Sequence, residues 1–258
     1  MDKVVLVTGG ARGIGAATCR RAAQIGYKVA VNYRADKLAA RSVVSEIEAA
    51  GGRAVVVQAD VGVEADVARM FSEVAERLGA PTALVNSAGV SSHSLTADFD
   101  AAALTRMMAV NVIGTMICCR EAVRAMSTQR GGQGGSIVNV SSMAATIGGR
   151  PGASAYAASK AAVDAFTRGL AKEVATDGIR VNAVRPGVTI TDMTAAVRDD
   201  AGVRAAIEAT IAMNRTAEPD EIAAPILWLL SNDASFISGA HLDASGGGFV
   251  IGASTSPN

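Results

Sequence analysis

Tyr156 and Lys160 are the two residues of this chain whose types and spacing most directly allow proton transfer. They lie four residues apart in an alanine-rich segment that favours helix, and this spacing places both side chains on one helix face. A tyrosine phenol has an ordinary pKa of about 10. A neighbouring ammonium and a positively charged ring would lower that pKa, so the phenol could exchange a proton with a carbonyl or an alcohol near neutral pH. Alone, the pair is a weak signal, because tyrosine is common at interfaces and lysine at surfaces.

Three further polar residues could act beside this pair. Ser141 and Ser142 follow an apolar run that predicts a strand, and a hydroxyl at its end could hydrogen-bond a substrate carbonyl and stabilise developing negative charge. The alternative is a serine that only caps a helix or forms a turn. Asn111 lies inside an apolar stretch that predicts helix, where an asparagine normally costs stability. It fits either a functional kink or a plain exposed side chain.

A glycine-rich turn follows the first predicted strand, with the spacing Gly9-x-x-x-Gly13-x-Gly15. Glycines let the backbone approach a pyrophosphate closely, and the helix that follows points its free N–H groups at the phosphates. The spacing differs from the literal G-x-G-x-x-G fingerprint, and a purely structural turn is the alternative. The position of the turn at the start of an alternating α/β chain favours nucleotide binding.

The end of the second predicted strand indicates which nucleotide would bind. An NAD site usually has an acidic residue there to accept a hydrogen bond from the ribose 2′-hydroxyl, but this chain has Asn32, Tyr33 and Arg34. Arg34 and Arg12 would attract a 2′-phosphate, and arginine pairs with phosphate through two parallel hydrogen bonds. We therefore expect NADP(H), although both arginines could simply be solvated surface charges.

Two more polar motifs end predicted strands and so belong to the same edge of the sheet. Asp60 and Val61 follow the third strand, and Asn86-Ser87-Ala88-Gly89 follows the fourth. In an open parallel sheet the carboxyl edge forms the ligand crevice. Asp60 could accept a hydrogen bond from an adenine amino group, or it could cap the helix beginning near Val63.

Strands and helices that alternate along the chain must position these residues. Short apolar runs predict strands at residues 4–7, 28–31, 53–57, 83–85, 136–140 and 180–184. Helices are predicted at residues 13–25, 36–50, 64–78, 101–126, 155–176 and 222–230. This order indicates an α/β fold with a doubly wound parallel sheet and helices on both faces, in one domain over residues 1–258. Residues 189–217 lack a strand signal and predict either a lid over the site or two plain surface helices.

Composition excludes several classes of function. The chain has 24 basic and 24 acidic residues, so no charge excess attracts nucleic acid. The three cysteines, Cys19, Cys118 and Cys119, have neither a disulfide pattern nor zinc spacing, and we expect buried thiols and no metal site. No signal peptide or membrane-length apolar run is evident, which favours a cytoplasmic protein without membrane contact.

Taken in order, these motifs strongly resemble the classical short-chain dehydrogenases/reductases. The resemblance rests on the glycine turn, Asn86-Ser87-Ala88-Gly89, Asn111, Ser142, Tyr156-x-x-x-Lys160, Pro186-Gly187 and the C-terminal Ser245-Gly246-Gly247-Gly248, and it covers almost the whole chain. It implies a single Rossmann-type domain with a seven-stranded sheet. It also implies a catalytic tetrad in which Tyr156 is the general acid/base, Lys160 lowers its pKa and binds the nicotinamide ribose, Ser142 orients the substrate, and Asn111 holds a water in a proton relay.

Three local features deserve comparison with the family pattern. Ser87 stands where the family usually has a second asparagine, a change that should keep the backbone role. Ser142 precedes Tyr156 by 14 residues, one more than is commonest, because residues 148–152 carry an extra residue. The choice between Ser141 and Ser142 therefore stays open, with Ser142 preferred as the last serine of the strand end. Asn111, by contrast, lies in an intact helix of the usual type.

The resemblance also defines the expected binding set and function. The expected NADP(H)-binding residues are Gly9, Arg12, Gly13, Ile14, Gly15, Asn32, Tyr33, Arg34, Asp60, Val61, Asn86, Ala88, Gly89, Tyr156, Lys160, Pro186, Gly187 and Thr191. The expected activity is hydride transfer between the nicotinamide and a small-molecule carbonyl or secondary alcohol, in a homotetramer. One alternative is a catalytically idle NADP(H)-binding regulator or scaffold, which would have no chemical need for Tyr156. Another is an extended sugar epimerase, which would normally have a longer substrate domain.

Overall fold

Seven parallel strands form one sheet in the order β3-β2-β1-β4-β5-β6-β7, as seen in a computed structural model that describes residues 3–248. The strands are β1 Val4–Thr8, β2 Lys28–Tyr33, β3 Ala54–Gln58, β4 Ala83–Asn86, β5 Gly135–Val140, β6 Ile179–Pro186 and β7 His241–Ala244. The predicted seven-stranded, doubly wound sheet is confirmed. Residues 1, 2 and 249–258 of the predicted domain lie outside the described residues.

The helices cover both faces of the sheet. They are α1 Gly13–Gln24, α2 Lys37–Ala49, α3 Glu64–Leu78, α4 Ala101–Met108, α5 Thr115–Met126, α6 Ala144–Ile147, α7 Ser154–Glu173, α8 Ala195–Asp199, α9 Ala201–Glu208 and α10 Pro219–Leu230. Strand β1 shows how the layers form, because side chains alternate across a strand. Val5 and Val7 pack in one core with α1, α2 and α10, whereas Val4 and Leu6 pack in the other with α3, α5 and α7. A strand buried on both faces needs such a continuous apolar run.

The predicted helix over residues 101–126 is interrupted in the middle. Residues Ala109–Gly114 form a π-helical turn between α4 and α5, and Asn111 lies within it. Asn111 is fully buried, which excludes the exposed side chain that the sequence left open, and its amide group hydrogen-bonds the backbone of Val90. A wide turn of this kind is often found at a functional site.

This same helical run corrects one expectation. By length and composition alone, the 26 residues Ala101–Met126 could cross a membrane, with a mean hydropathy of 1.5 in an 18-residue window, whereas no apolar run of that length was expected. The earlier expectation counted only uninterrupted apolar residues. Charged side chains interrupt the run, and they make ion pairs within the fold: Arg106 with Asp60, and Arg120 with Glu64. One side of the helix packs against α3 and the sheet, as in a core helix.

Several boundaries differ from the prediction because tertiary pairing extends or ends an element. Strand β2 continues to Tyr33, since residues Asn32 and Tyr33 pair with β3. Helix α7 ends at Glu173, and a short 3₁₀ turn leads to Gly178, whose positive φ of 72° closes the turn before β6. The short helix α6 was not predicted.

Candidate active site

One cavity lies at the carboxyl ends of the strands. It has a volume of about 660 Å³ and extends from the glycine turn after β1, past the ends of β4, β5 and β6, to residues of the 189–217 segment. The strand order reverses between β1 and β4, and ligands of open α/β sheets bind outside such a reversal. The predicted residues that line it are Gly9, Arg12, Gly13, Ile14, Gly15, Ala88, Gly89, Ser142, Tyr156, Lys160, Pro186, Gly187 and Thr191.

Tyr156 and Lys160 face this cavity from the first turns of α7. The Lys160 ammonium lies 5.8 Å from the centre of the Tyr156 ring. Lys160 is 6% exposed, and its Nζ donates a 2.8 Å hydrogen bond to the carbonyl oxygen of Val140 at the end of β5. The four-residue spacing in the helix thus places the phenol and the ammonium next to each other at the carboxyl edge of the sheet.

The pKa of Tyr156 differs in direction from the expectation. Burial raises the pKa of the phenol above its ordinary value, and a hydrogen bond with Ser142 opposes the rise. The nearby charges alone predict a lowered pKa, but the loss of solvent around the half-buried ring outweighs them. In the protein alone the phenol therefore holds its proton at neutral pH and can act as an acid.

The structure distinguishes the two serines. Ser142 lines the cavity and lowers the pKa of the Tyr156 phenol, and its hydroxyl accepts a 3.1 Å hydrogen bond from the backbone N–H of Ala144. The Ser141 side chain is buried and donates instead to the carbonyl oxygen of Lys160, at 3.2 Å. Both serines line the cavity, but only Ser142 acts on the pKa of Tyr156, since the Ser141 hydroxyl is bound to the backbone of α7.

Lys160 has an ammonium that burial makes easier to deprotonate. Loss of solvent lowers the pKa of Lys160 to about 8, and the charge of Asp164, one turn further along α7, acts in the opposite direction. Asp164 is itself buried, and one of its carboxylate oxygens accepts a 2.8 Å hydrogen bond from Arg185 of β6. The tyrosine, the lysine and this aspartate therefore form a line along one face of α7.

Asn111 approaches the pair from the π-helical turn. Its side chain also donates a 3.0 Å hydrogen bond to the hydroxyl of Ser159 in α7. A Cβ atom added to Gly89 would lie 3.5 Å from Asn111 Oδ1 and 3.6 Å from Lys160 Nζ, so these two polar atoms border the same small space. The predicted proton-relay role of Asn111 stays a prediction.

The glycine turn forms a cradle that side chains would fill. A Cβ atom on Gly9 would lie 2.9 Å from Ala88 Cα, and one on Gly15 would lie 2.3 Å from the carbonyl oxygen of Gly9. Gly9 and Gly13 also have positive φ angles of 64° and 51°. The backbone here comes close to its neighbours and begins α1, as a pyrophosphate site requires. The donor set and the cradle therefore fit a dinucleotide.

Arg12 projects from this turn and has two acidic partners. Its guanidinium pairs with Asp36, and with Asp192 at 3.0 Å. Asp36 lies just beyond β2 and caps α2 by accepting a 2.9 Å hydrogen bond from Ala39 N–H. Residues 32–34 contain no acid, but Asp36 lies two residues past Arg34 and was not predicted to take part in this site. Arg34 is exposed near the same end of the sheet.

Other predicted cofactor residues lie outside the cavity lining. Asn32 is buried, and its side chain accepts a 3.1 Å hydrogen bond from Gly9 N–H, so it helps to fix the backbone of the glycine turn. Tyr33 and Val61 are buried in the two cores. Asn86 is buried too, and it donates a 2.9 Å hydrogen bond to Asn139 that joins β4 to β5. The predicted cofactor contacts of these residues stay predictions.

Asp60 is held by Arg106 and does not have the capping role that the sequence left open. Both of its carboxylate oxygens accept hydrogen bonds from Arg106, at 2.9 and 2.8 Å, and one also accepts from Gly62 N–H. The helix after it begins at Glu64 without a side-chain cap, so Asp60 is not the predicted cap. Its contact with an adenine stays a prediction.

The two ends of the 189–217 segment lie next to each other beside the sheet. Thr189 pairs with Ala217 as a short parallel bridge, and between them lie α8 and α9. The segment contains two short helices, and its residues Met193, Val197 and Ile207 line the cavity. Its role as a lid stays a prediction. Near its start, the Thr191 methyl group lies 3.0 Å from a Cβ atom added to Gly13, so the segment meets the glycine turn.

Further residues outside the predicted cofactor set complete the lining of the cavity. Ser91, His93, Ala144, Ile147, Val188 and Met193 line the cavity. Sequence reasoning missed Arg150 and Asp192 as lining residues. The extra residue in the 148–152 loop was the available signal for Arg150, whereas nothing in the local sequence indicates the pairing of Asp192 with Arg12.

The three cysteines are buried free thiols outside the cavity lining. Burial raises the pKa of each thiol, to about 12 for Cys119. A thiol that stays protonated is a poor nucleophile. Their interpretation as small core side chains is thus supported by their surroundings.

Comparison with known proteins agrees with this geometry. A family model described as enoyl-(acyl carrier protein) reductase matches residues 9–248. The uncharacterized oxidoreductase YgfF of Escherichia coli (strain K12) is 44% identical over 245 residues, which are 95% of this chain and 99% of that protein. The 3-oxoacyl-(acyl-carrier-protein) reductase FabG of Staphylococcus epidermidis is 35% identical over 250 residues, which are 97% of this chain and 100% of that protein.

A solved structure is similar over nearly its whole length. The crystal structure of a short chain dehydrogenase from Burkholderia cenocepacia J2315 in complex with NADP has a TM-score of 0.88 and 37% identity, covering 95% of this chain and 97% of that chain. With the seven-stranded sheet and the glycine turn described above, these matches show that the chain is an oxidoreductase of the short-chain dehydrogenase/reductase family.

Proposed function

We propose that this protein is an NADPH-dependent carbonyl reductase in which Tyr156 is the general acid. The observation that carries the proposal is the position of Tyr156, Lys160 and Ser142 in one cavity with the glycine turn after β1. The reverse reaction, oxidation of a secondary alcohol, uses the same groups with Tyr156 as the base. No metal ion is part of the proposal.

The chain's own residues handle the proton and the carbonyl oxygen. A bound NADPH supplies the hydride that reduces the carbonyl carbon. Tyr156 donates its proton to the carbonyl oxygen, and its raised pKa keeps that proton in place at neutral pH until the oxygen becomes basic. The Ser142 hydroxyl hydrogen-bonds the same oxygen and stabilises its developing charge. Lys160 holds the nicotinamide ribose and favours the phenolate that forms, and Asn111 helps to return a proton to Tyr156.

The preference for NADP(H) over NAD(H) rests on the charges at the adenosine end. Arg12 and the exposed Arg34 are both close to the turn after β2, where a 2′-phosphate would lie. The Burkholderia structure in complex with NADP has the same fold over nearly the whole chain. The 2′-phosphate would have to displace Asp36 as a partner of Arg12.

The test is NADPH consumption with a panel of ketones, 3-oxoacyl thioesters and sugars. We expect Tyr156→Phe to lower kcat at least about a hundredfold while NADPH still binds, because the proton donor is lost and the ring remains. Tyr27→Phe is the matched control, since Tyr27 is buried in the core away from the cavity. Unchanged turnover in Tyr156→Phe would refute the mechanism, and NADPH binding without turnover of any carbonyl would favour the idle regulator.

The proposal includes a homotetramer in the cytoplasm. Two separate apolar surfaces support self-association: Met108 and Ile113 on the 101–126 run are 38% and 54% exposed, and Trp228 of α10 is 41% exposed. Two different interfaces of twofold symmetry are what a tetramer of dimers requires.

A further inference from the structure

The Asn111 side chain is held on two sides. Its Nδ2 donates a 2.9 Å hydrogen bond to the carbonyl oxygen of Val90 and a 3.0 Å bond to the hydroxyl of Ser159. Its Oδ1 accepts a 2.9 Å bond from Val90 N–H. Since an asparagine amide has two N–H donors, both are engaged within the fold. The position of this fully buried side chain therefore depends on Val90 on one side and on Ser159 on the other.

Ser159 joins Asn111 to the backbone of the helix turn that carries Tyr156. It lies in α7, directly before Lys160, and it is fully buried. Its hydroxyl donates a 2.7 Å hydrogen bond to the carbonyl oxygen of Tyr156. Because a hydroxyl has a single proton, Ser159 can only accept from Asn111. The bonds therefore run in one direction, from the Asn111 amide through the Ser159 hydroxyl to the Tyr156 carbonyl, and such a chain strengthens each of its members.

This chain of hydrogen bonds lies beside the place of the proposed reaction. Gly89 lines the cavity, and a Cβ atom added to it would lie 3.5 Å from Asn111 Oδ1 and 3.6 Å from Lys160 Nζ. The proposed role of Asn111, the return of a proton to Tyr156, requires a constant distance between the π-helical turn and the start of α7. Without the Ser159 hydroxyl, a buried amide N–H would lack its acceptor, and the Asn111 side chain would shift to find another.

Helix α7 contains a second contact of the same kind, about two turns further along. The fully buried Thr167 accepts a 2.9 Å hydrogen bond from the Asn139 side-chain amide and donates a 2.8 Å bond to the carbonyl oxygen of Val163. Thr167 is not among the described residues that line the cavity. Removal of its hydroxyl therefore leaves a buried amide without its acceptor, as at Ser159, but away from Tyr156.

We propose that Ser159 is a positioning residue of the reduction, because its hydroxyl holds the Asn111 side chain against the turn of α7 that carries Tyr156. Ser159 acts through Asn111 and need not touch substrate or cofactor. The inference rests on the proposed reductase function, and it adds to that function a residue outside the tetrad that the sequence predicts.

The first test compares Ser159→Ala with Thr167→Val in the steady-state reduction of a ketone by NADPH. Each substitution removes one buried hydroxyl with little change in volume, so both should lower stability to denaturant to a similar extent. We expect Ser159→Ala to lower kcat about tenfold, while the KM values for NADPH and the ketone change less than about twofold, because proton return is impaired and binding is not. Thr167→Val should keep the wild-type kcat. An unchanged kcat in Ser159→Ala, or an equal fall in both variants, would overturn the inference.

A second test asks whether Ser159 acts through Asn111. An Asn111→Ala protein has no side-chain amide to hold, so the added Ser159→Ala substitution should lower its kcat by less than about twofold. A further fall of about tenfold would show an independent effect and would contradict the proposal.

A third variant keeps the size of the side chain. Ser159→Cys replaces the hydroxyl by a weaker acceptor, so its kcat should lie between those of the wild type and Ser159→Ala. A wild-type kcat in Ser159→Cys would count against the proposal. This variant takes the place of Ser159→Ala in both comparisons if the alanine protein does not fold.

Failure of the proposed function gives a different result. If the wild type consumes NADPH with no carbonyl of the panel, the reductase proposal is contradicted, and the inference about Ser159 is contradicted with it. If the wild type and the Ser159 variants reduce a ketone with the same kcat, the inference alone is wrong and the reductase proposal stands.

Discussion

At the scale of single residues, the environment of each charge decides its chemical role. Lys160 would have an ordinary surface pKa if it were exposed, but burial lowers its pKa to about 8. Tyr156 changes in the opposite sense, because burial disfavours the phenolate. At pH 7 the structure therefore favours a protonated phenol beside an ammonium, which is the arrangement that the proposed reduction needs. As pH rises above about 8, the ammonium is lost first.

Asp36 is the residue that we expect to oppose the 2′-phosphate of NADPH. We predict that Asp36→Asn lowers the KM for NADPH about fivefold, with little change for NADH, because Arg12 loses a competing carboxylate. Asparagine caps a helix as well as aspartate does, so α2 should stay intact. Steady-state kinetics with both cofactors measures the effect.

A matched control exists for this substitution. Asp100 caps α4 by accepting a 2.8 Å hydrogen bond from Ala103 N–H, and it lies outside the cavity lining. Asp100→Asn should therefore change neither KM. An unchanged or higher KM for NADPH in Asp36→Asn would contradict the prediction.

At the scale of elements, the turn between β1 and α1 depends on close backbone contact. We predict that Gly15→Ala lowers the free energy of unfolding by about 1–3 kcal/mol and weakens NADPH binding, because the new Cβ would lie 2.3 Å from the carbonyl oxygen of Gly9. Denaturant unfolding and a cofactor titration measure the two effects.

A second glycine provides the control that separates an effect of the turn from an effect of the Gly→Ala substitution itself. Gly169 lies in the interior of α7, and a Cβ atom added there meets nothing within 4 Å. Gly169→Ala should keep or raise stability, by up to about 1 kcal/mol, since alanine is the better helix former. A Gly15→Ala protein as stable as the wild type would show that the turn can relax.

At the scale of the whole molecule, helices of the same chain cover both faces of the sheet. Contacts between subunits must therefore use the outer surfaces of the helices. We predict a homotetramer, with a light-scattering mass four times that of the 26.0 kDa chain. Ile113→Arg should lower this mass, because it places a charge on an exposed apolar position of the 101–126 run.

Leu38→Arg is the control for this prediction. Leu38 is 80% exposed on α2, on the other side of the sheet from the 101–126 run. The control should therefore keep the mass of the wild type. A wild-type mass near one subunit would exclude the tetramer, and equal masses for the wild type and Ile113→Arg would exclude this interface.

Local patterns in the sequence were enough to predict the layers, six of the seven strands and the residues of the glycine turn, whereas the family resemblance supplied the total of seven strands. The reason is that apolar runs, glycines and the Tyr156–Lys160 spacing act over a few residues, and parallel strands bring their carboxyl ends to one edge. From the sequence, Ser142 could be preferred over Ser141 only because it is the last serine at the end of the strand. The direction in which its hydroxyl points depends on the packing of β5 against α7.

What tertiary structure alone decided is which distant groups meet. Arg12 pairs with Asp192, 180 residues away, and Arg150 meets Thr210 across 60 residues. The wide helical turn at Asn111 and the raised pKa of Tyr156 also arise from packing, through contacts with Val90 and through loss of solvent. The sequence by itself determined the kind of chemistry, since that depends on residue types at short spacing. The folded chain decided the charge states of Tyr156 and Lys160 and which residues line the cavity, because electrostatic interactions and solvent exposure depend on distances in space.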